Sequence, residues 1–464
     1  MADPRQVAVI GGGASGLACA FRLRQLGVPV KLFEATDRLG GLVGTAERDG
    51  FLFETGPQSF QGTATILQLI RDLGIEGELC KADPRAPRYV LRRGRLLKIP
   101  MSPPALLTTS LLGMSSLWRI ISEPFRRTKP PSEEESIAQF VRRKFGHEIL
   151  EYLVAPFVSG VYAGDPEKLS LRAAFPSLEE WEREYGSILR GAMKSRPANG
   201  ASKGSPPLCS FRRGMATLAQ AAAAKLADSA HLRARVDALS KVEVNGRQQY
   251  QICLNRDDRQ ETIDARAVVV TSPAYVAAPL VQPISPALAQ ALSGIAYAPV
   301  AVVACGYFAR QIGRAVDGFG FLVPRAEKVR TLGTVWNSSL FPGRARDGSV
   351  AMTSFIGGAT DPEISNLSEK QIATIVQDDN AKILEIGGPP VTTSVWKHAK
   401  ALPQYNLGHG HIVRAIRASE RAIPGIFFAS NYLQGPALGK CVEQAYQTAE
   451  AVRAFVDGGA ARPE

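Results

Sequence analysis

Three glycines at a fixed spacing carry the first chemical signal. Gly11, Gly13 and Gly16 follow the uncharged run Val7-Ala8-Val9-Ile10, and Leu17 to Leu26 comes next with apolar residues at helical spacing. The run reads as a buried parallel strand entering a tight turn and a helix. In this pattern the first glycine permits the turn and the second lets a pyrophosphate approach the backbone. The third lets helix and strand pack closely. Gly12, Ala14 and Ser15 fill the same turn, where helix N–H groups face an anion. Val28 to Phe33 reads as a second strand, and Glu34 ends it, 18 residues after Gly16. A carboxylate there accepts from ribose hydroxyls. Alone, these residues also fit a plain strand, turn and helix, the lesser of the two readings.

A second group of residues sharpens the signal. Arg38-Leu39-Gly40-Gly41 follows the acidic residue directly, and Phe53-Glu54-Thr55-Gly56-Pro57-Gln58-Ser59 follows shortly after. Near the other end of the chain, Ile426 to Ser430 reads as a strand, Asn431 to Lys440 as a glycine-bearing turn and Cys441 to Val456 as a closing helix. That order repeats the opening: strand, glycine turn, helix N-terminus.

These residues must be positioned by a chain of 464 residues, enough for more than one domain. With 45% hydrophobic and 21% charged residues the composition is that of a globular α/β protein. The net charge of +12 points to an acidic partner: nucleic acid, anionic lipid or a polycarboxylate ligand. Six scattered cysteines without a C-x-x-C pair (Cys19, Cys80, Cys209, Cys253, Cys305 and Cys441) read as small buried hydrophobes in a reducing compartment. The first strand begins within a few residues of Met1, which predicts no signal peptide and a cytoplasmic protein.

Between the two glycine turns, residues 60–80 predict a helix with Ile66, Leu69, Ile70 and Leu73 on one face. Arg85 to Lys98 reads as a basic strand pair turning at Arg93-Gly94. Ile99 to Trp118 carries no charge and has prolines near its start, so its helical part is too short to span a bilayer. It reads either as an interfacial helix, with Arg119, Arg126, Arg127 and Lys129 as headgroup partners, or as a buried helix of a helical domain. Ser132-Glu133-Glu134-Glu135 reads as the capped start of further helix to Gly160. Lys194 to Pro207 reads as an exposed loop. Ser210 to Met215 then precedes an alanine-rich helix to Leu226, and strands return at Leu239–Val244, Gln249–Leu254 and Arg266–Thr271, with a hairpin turn at Asn245-Gly246. Residues 275–420 read as a mixed sheet with one clear helix, Ser368 to Glu385. His409-Gly410-His411 reads as structural or solvated, and no metal site is expected.

With these segments in place the chain resembles the protoporphyrinogen oxidase family, within the wider superfamily of amine-oxidase-like flavoproteins with two dinucleotide-binding domains. The similarity covers nearly the whole length. It rests on the opening fingerprint with Glu34, Arg38 to Gly41, Glu54 to Pro57, Ser159-Gly160-Val161-Tyr162-Ala163-Gly164-Asp165 and Phe211 to Met215. It continues through Thr331 to Thr334, Phe355-Ile356-Gly357-Gly358, and Trp396 with Ala401 to Tyr405.

The resemblance implies an α/β flavoprotein with a Rossmann-like nucleotide domain (1–84, 205–274 and 421–464), a mixed-sheet substrate domain (85–99 and 275–420) and a helical, membrane-associated insertion (100–204). It implies FAD held by Gly11, Gly12, Gly13, Ala14, Ser15 and Gly16, by Glu34 with Ala35, and by Arg38, Gly41 and Leu42. Gly56, Pro57, Gln58, Ser59, the backbone of Val236, Trp396, Pro436, Ala437 and Leu438 complete that set. Gln58 departs from the family, which often has Asn or His there, and so does Gly439-Lys440. For substrate, the resemblance implies that Arg88 pairs with a propionate, that the Gly160 carbonyl meets ring nitrogens, and that Leu322, Val335 and Phe355 sandwich the macrocycle. By position alone Arg88 is one of several arginines on a solvated hairpin, and Phe355 and Trp396 are core aromatics.

The implied reaction is the six-electron oxidation of a porphyrinogen in three hydride transfers to flavin, with dioxygen as acceptor, hydrogen peroxide as product and no essential protein base. Five histidines without an evident dyad agree with that. Nucleic acid then drops out as a partner. Peripheral association with the cytoplasmic face of the inner membrane, a homodimer and hand-off to ferrochelatase are compatible with the resemblance. The competing readings are coproporphyrinogen III oxidation, an amine oxidase or carotenoid desaturase on the same fold, and a non-catalytic flavin-binding protein.

Overall fold

The computed structural model describes residues 3–102, 105–106, 108–126, 131–194, 206–244 and 246–458. A five-stranded parallel sheet forms the first core, in the spatial order Ala230–His231, Val30–Phe33, Val7–Ile10, Ala267–Val270, Ile426–Phe428. Its three central strands are uncharged apart from Lys31, as a sheet covered on both faces requires. Helices Ala14–Gln25, Ala216–Lys225 and Leu438–Val456 cover one face together with Ala64–Leu73, whose Ile66, Leu69, Ile70 and Leu73 are all buried as their spacing predicts. A three-stranded antiparallel sheet (Ala234–Val244, Arg247–Arg256, Arg259–Ala265) covers the other, together with helices Ala274–Val281 and Pro286–Ser293.

The second sheet has seven strands, ordered Thr392–Pro403, Tyr297–Phe308, Ser349–Gly357, Thr331–Val335, Gly320–Leu322, Arg88–Arg92, Arg95–Lys98. All its pairs are antiparallel except Gly320–Leu322 with Arg88–Arg92, so the mixed sheet is as expected. Helix Glu369–Leu384, capped by Ser368 and Gln371, packs on one face with Trp336, Met352 and Ile356. The other face meets two bodies: the hairpin Thr45–Arg48/Phe51–Glu54 from the nucleotide domain, and a helical layer built on Phe140, Leu150, Val158 and Tyr162.

Several elements differ from the sequence expectation. The cap before the helix that follows the acidic run Glu133-Glu134-Glu135 is Ser136, not Ser132. Its Oγ accepts from Gln139 N at 3.2 Å while Gln139 Oε1 accepts from Ser136 N at 2.8 Å, and Ile137–Lys144 follows. The acidic run before it is used sideways: Glu134 accepts from Ser170 Oγ and from Gly408 N, and Glu135 pairs with Arg143. Residues 431–434 form a short helix, Asn431–Gln434, inside the expected turn, and the closing helix starts at Leu438. Strand Arg259–Ala265 was not expected; it pairs through a turn at Asp257-Asp258, both with positive φ. The expected loop at 194–207 and the Asn245 corner fall largely outside the described residues, and so do Arg127 and Lys129.

Candidate active site and flavin cradle

The opening fingerprint folds as its glycines require. Gly11 has φ +107°, and a Cβ at Gly16 would stand 1.8 Å from Gly11 O, so helix and strand touch there through bare backbone. Thr271 Oγ1 ties the turn from below, donating to Ile10 O and Gly11 O at 2.9 and 2.8 Å. Gly40 N donates to Gly12 O at 2.8 Å, which lays the second glycine pair beside the first. Arg38 secures that pair from its own loop, donating to Gly41 O at 2.6 Å and to Val43 O at 3.3 Å. Leu42 O lies where a Cβ of Gly56 would stand, 2.1 Å from it, so the third glycine segment closes on the second.

Glu34 sits over this turn. Its Oε2 accepts from Gly12 N at 2.7 Å, and Oε1 accepts from Thr36 N and Oγ1 at 2.9 and 2.8 Å. Of a carboxylate's roughly four acceptor positions, about one remains for a hydroxyl. Ala234 N donates to Glu34 O, which starts the strand carrying Val236; that side chain is buried, so only its backbone is available to a ligand. Ala35 is exposed at the rim. The closing helix arrives at the same place: burial pushes the Cys441 thiol up to about 11, and a hydrogen bond with Ser15 opposes the shift. Pro436 and Ala437 precede its uncapped first turn, where Leu438 is buried.

These residues fit a dinucleotide. The helix beginning at Ala14 has no side-chain cap and no acid in its first turn, and a Cβ at Gly13 would meet nothing within 4 Å. Open space and free amides thus coincide, as an anion site needs.

The second sheet supplies the neighbouring face. Cross-strand partners share a face, and the register aligns Val90, Leu322, Gly333, Phe355, Val302 and Trp396 in one row across six strands. The adjacent row is Arg88, Gly320, Val335, Thr353, Ala304 and Ser394. Arg88, Leu322, Val335, Phe355 and Trp396 therefore all point to one side. His398, two residues beyond Trp396, bonds to Thr55 O at 3.0 Å and sets the Trp396 end against the Gly56 segment. Gln58 is buried there, donating to Gly56 O at 2.8 Å and accepting from Asn337 Nδ2 at 2.7 Å. The longer amide that departs from the family pattern is thus engaged with protein on both sides.

A helix roofs the middle of this face. It runs Ala155–Tyr162 after a wider π-helical turn at Leu150–Val154, a break that suits Pro156, which has no N–H to donate. Ala163, at φ +47°, ends it. A Cβ at Gly160 would lie 2.8 Å from Leu322 Cδ2, so roof and floor approach closely there. Phe157 and Val161, one turn apart and 45% and 43% exposed, flank Gly160 on the open side. Their i, i+4 spacing is visible in the sequence, where Val161 belongs to the segment Ser159 to Asp165 and Phe157 lies just before it. Val335 packs instead towards Leu340 and Phe341, so the four expected sandwich and anchor residues spread along the face. Arg88 is exposed at its edge, over the Phe319 ring at 5.4 Å, with no carboxylate partner among the described residues.

One buried pair lacked any sequence signal. Arg344, from the loop before Ser349–Gly357, reaches into the nucleotide domain and meets Glu54 at 3.1 Å, both side chains 1% exposed. It also donates to Ser210 Oγ and Phe211 O. Glu54 accepts from Met215 N and Thr45 Oγ1, at the start of the alanine-rich helix. The pair locks the two sheets together behind the cradle. His409 is likewise structural, its buried ring bonded to Tyr432 O and set against Tyr405.

The model of flavin-containing amine oxidoreductases matches residues 14–453. The chain belongs to that family. It is an FAD-dependent oxidoreductase of α/β fold, and the cradle has the features such a cofactor needs. Within the family, the chloroplastic protoporphyrinogen oxidase of Nicotiana tabacum is 37% identical over 471 residues, covering 97% of this chain and 85% of that protein. The coproporphyrinogen III oxidase of Bacillus subtilis (strain 168) is 28% identical over 458 residues, 95% and 96% of the two chains. A crystal structure of a candidate protoporphyrinogen oxidase from Exiguobacterium sp. 255-15 superposes with a TM-score of 0.81 at 23% identity, covering 97% and 99%. That likeness establishes the fold.

Proposed function

We propose that this flavoprotein oxidises protoporphyrinogen IX to protoporphyrin IX, with dioxygen as the final acceptor. The observation that carries the reading is the aligned sheet face: one apolar floor running from Trp396, beside the His398–Thr55 bond, to the Arg88 guanidinium, which has no carboxylate partner among the described residues, roofed by the helix at Gly160. FAD, when bound, takes up hydride and passes electrons on to dioxygen, so a six-electron oxidation needs three rounds.

The chain's own residues bind and orient. Leu322, Phe355, Phe157 and Val161 offer apolar surface to a flat, greasy ring and keep water from it. Arg88 holds a carboxylate by two parallel hydrogen bonds. Gly160 lies in the last turn of its helix, where carbonyls lack intrahelical partners, so its oxygen can accept from a pyrrole N–H. The negative end of that helix also favours the positive charge left on a ring that has lost hydride. No side-chain base is required of this arrangement.

Anaerobic mixing with protoporphyrinogen IX should bleach the flavin absorbance; a flavin that stays oxidised sinks the reading. Arg88→Ala should raise KM for this substrate about 10-fold to 100-fold, the worth of hydrogen bonds to a charged group. Its FAD content should stay near wild type, and an unaltered KM would refute the anchor role.

We further infer peripheral docking on a membrane through the helical layer. Helix Met114–Ser122 buries Leu117 but turns Met114, Trp118 and Ile121 outward, 81%, 69% and 45% exposed, with Phe125 at 80% beyond its end. These positions fall on one helical stripe. Arg119 is exposed beside it, whereas Arg126 donates to Arg119 O and Lys144 O and is less free for headgroups. Among the described residues no helix is long and apolar enough to cross a membrane. Co-sedimentation with vesicles containing anionic lipid should be lost in Trp118→Glu/Phe125→Glu. Wild-type protein left wholly in the supernatant would dispose of the idea.

A further inference from the structure

Arg88 stands beside the start of one floor strand, and a second guanidinium without an ion-pair partner among the described residues stands beyond that strand's other end. Strand Gly320–Leu322 runs from the Arg88 row through the Leu322 row and on to Pro324 and Arg325. From Gly320 to Pro324 is four residues, roughly 13 Å of strand. Arg325 is exposed at this far rim. Its Nη2 donates to the Thr360 hydroxyl, just past the Gly357-Gly358 turn. That turn touches the end of the roof helix: Ala359 N donates to Ala163 O at 2.7 Å, and a Cβ at Gly358 would lie 2.8 Å from Ala163 O. Arg325 therefore lies on the side of the sheet where the C-terminal end of the roof helix sits.

Its surroundings leave the charge unspent. Two carboxylates lie near it, Asp361 and Asp165, and neither forms an ion pair with it among the described residues. Asp361 is taken by Arg330, which donates to both its oxygens at 3.0 and 2.8 Å; Asp165 accepts from Glu167 N at 3.0 Å. Partial burial pulls the Arg325 pKa below its usual value, with Asp361 and Asp165 opposing. An ordinary surface arginine would need no explanation. This one follows the floor strand that pairs with Arg88 and bonds to the residue beside the turn that meets the roof helix.

We propose that Arg325 is a second carboxylate anchor, a specificity-determining residue that lets the slot accept a tetrapyrrole carrying propionates on opposite edges as well as one carrying them on a single edge. This rests on the porphyrinogen reading above and deepens it. Coproporphyrinogen III, with a propionate on each ring, is the substrate of that kind. A dicarboxylate macrocycle needs only Arg88, and a tetracarboxylate one engages both guanidinium forks. The neighbouring Asp361 and Asp165 weaken the second anchor, so its effect should be modest.

The test compares wild type with Arg325→Gln as FAD-loaded enzymes. The ratio of kcat/KM for coproporphyrinogen III to that for protoporphyrinogen IX should fall about tenfold, one lost charge-assisted hydrogen-bond pair. Arg325→Lys, which keeps the charge but not the fork, should fall between. Equilibrium binding of the porphyrin products by fluorescence gives a second readout: the affinity ratio of coproporphyrin to protoporphyrin should drop similarly. Equal ratios in wild type and Arg325→Gln overturn the proposal even if both enzymes turn over. If neither porphyrinogen bleaches the flavin, the reaction assigned above fails, while the product-binding ratio still decides for or against Arg325.

Discussion

Arg344→Met should destabilise the protein by about 3–5 kcal/mol, the cost of leaving a buried charge without its partner. The charge left behind is Glu54, 1% exposed and still bonded to Thr45 Oγ1 and Met215 N. Burial raises the Glu54 carboxyl above its ordinary value, while Arg344 and those hydrogen bonds hold it down. A carboxyl raised in the folded state favours folding at low pH and costs stability as pH climbs through its folded value. Removing Arg344 raises it further, so the variant's deficit should be full near neutral pH and shrink as Glu54 takes up a proton. The double variant Arg344→Met/Glu54→Gln should recover part of the loss at neutral pH. Urea melts at two pH values measure this; a deficit independent of pH would show that Arg344 acts through packing alone.

Two neighbouring glycines should separate folding from cofactor retention. Gly16→Ala places a Cβ 1.8 Å from a backbone oxygen, which cannot swing aside. Strand and helix must part, at a cost of about 1–3 kcal/mol or more, and FAD should be lost with the packing. Gly13 has φ −70° and open space around its Cβ position. Gly13→Val should therefore leave the apo protein's Tm within about 2 °C of wild type, yet reduce FAD occupancy at least about tenfold by filling the anion space. The ratio of flavin to protein absorbance, beside apo melting curves, reads both effects. A Gly13→Val protein that purifies fully yellow would mean that the space beside Gly13 is not where the nucleotide lies.

Much of this site could be read from residue order because its parts are local. The turn at Gly11 to Gly16, the strand ending at Glu34 and the helix face at Ile66, Leu69 and Ile70 are each set within a few residues. What escaped depends on register between distant strands. That Arg88, Leu322, Phe355 and Trp396 share one face follows only from pairings across more than 300 positions. The Ser132 cap misled because several acids followed it, whereas Ser136 has the glutamine three residues on that closes a capping box. Arg344 gave no sign, since nothing in a loop arginine announces a buried carboxylate nearly 300 residues upstream.

The parallel sheet orders events in time as well as space. Its oldest strand, Val7–Ile10, lies between Val30–Phe33 and Ala267–Val270, and the outermost place belongs to Ile426–Phe428. During synthesis the edge of Val7–Ile10 must therefore wait for Ala267–Val270, past the midpoint of the chain, and that strand in turn stays unpaired on its far side until more than nine-tenths of the polypeptide has been made. Truncation near the C-terminus would strand a nascent chain with a sticky open ladder, and early cofactor capture or a chaperone would be most valuable during that delay.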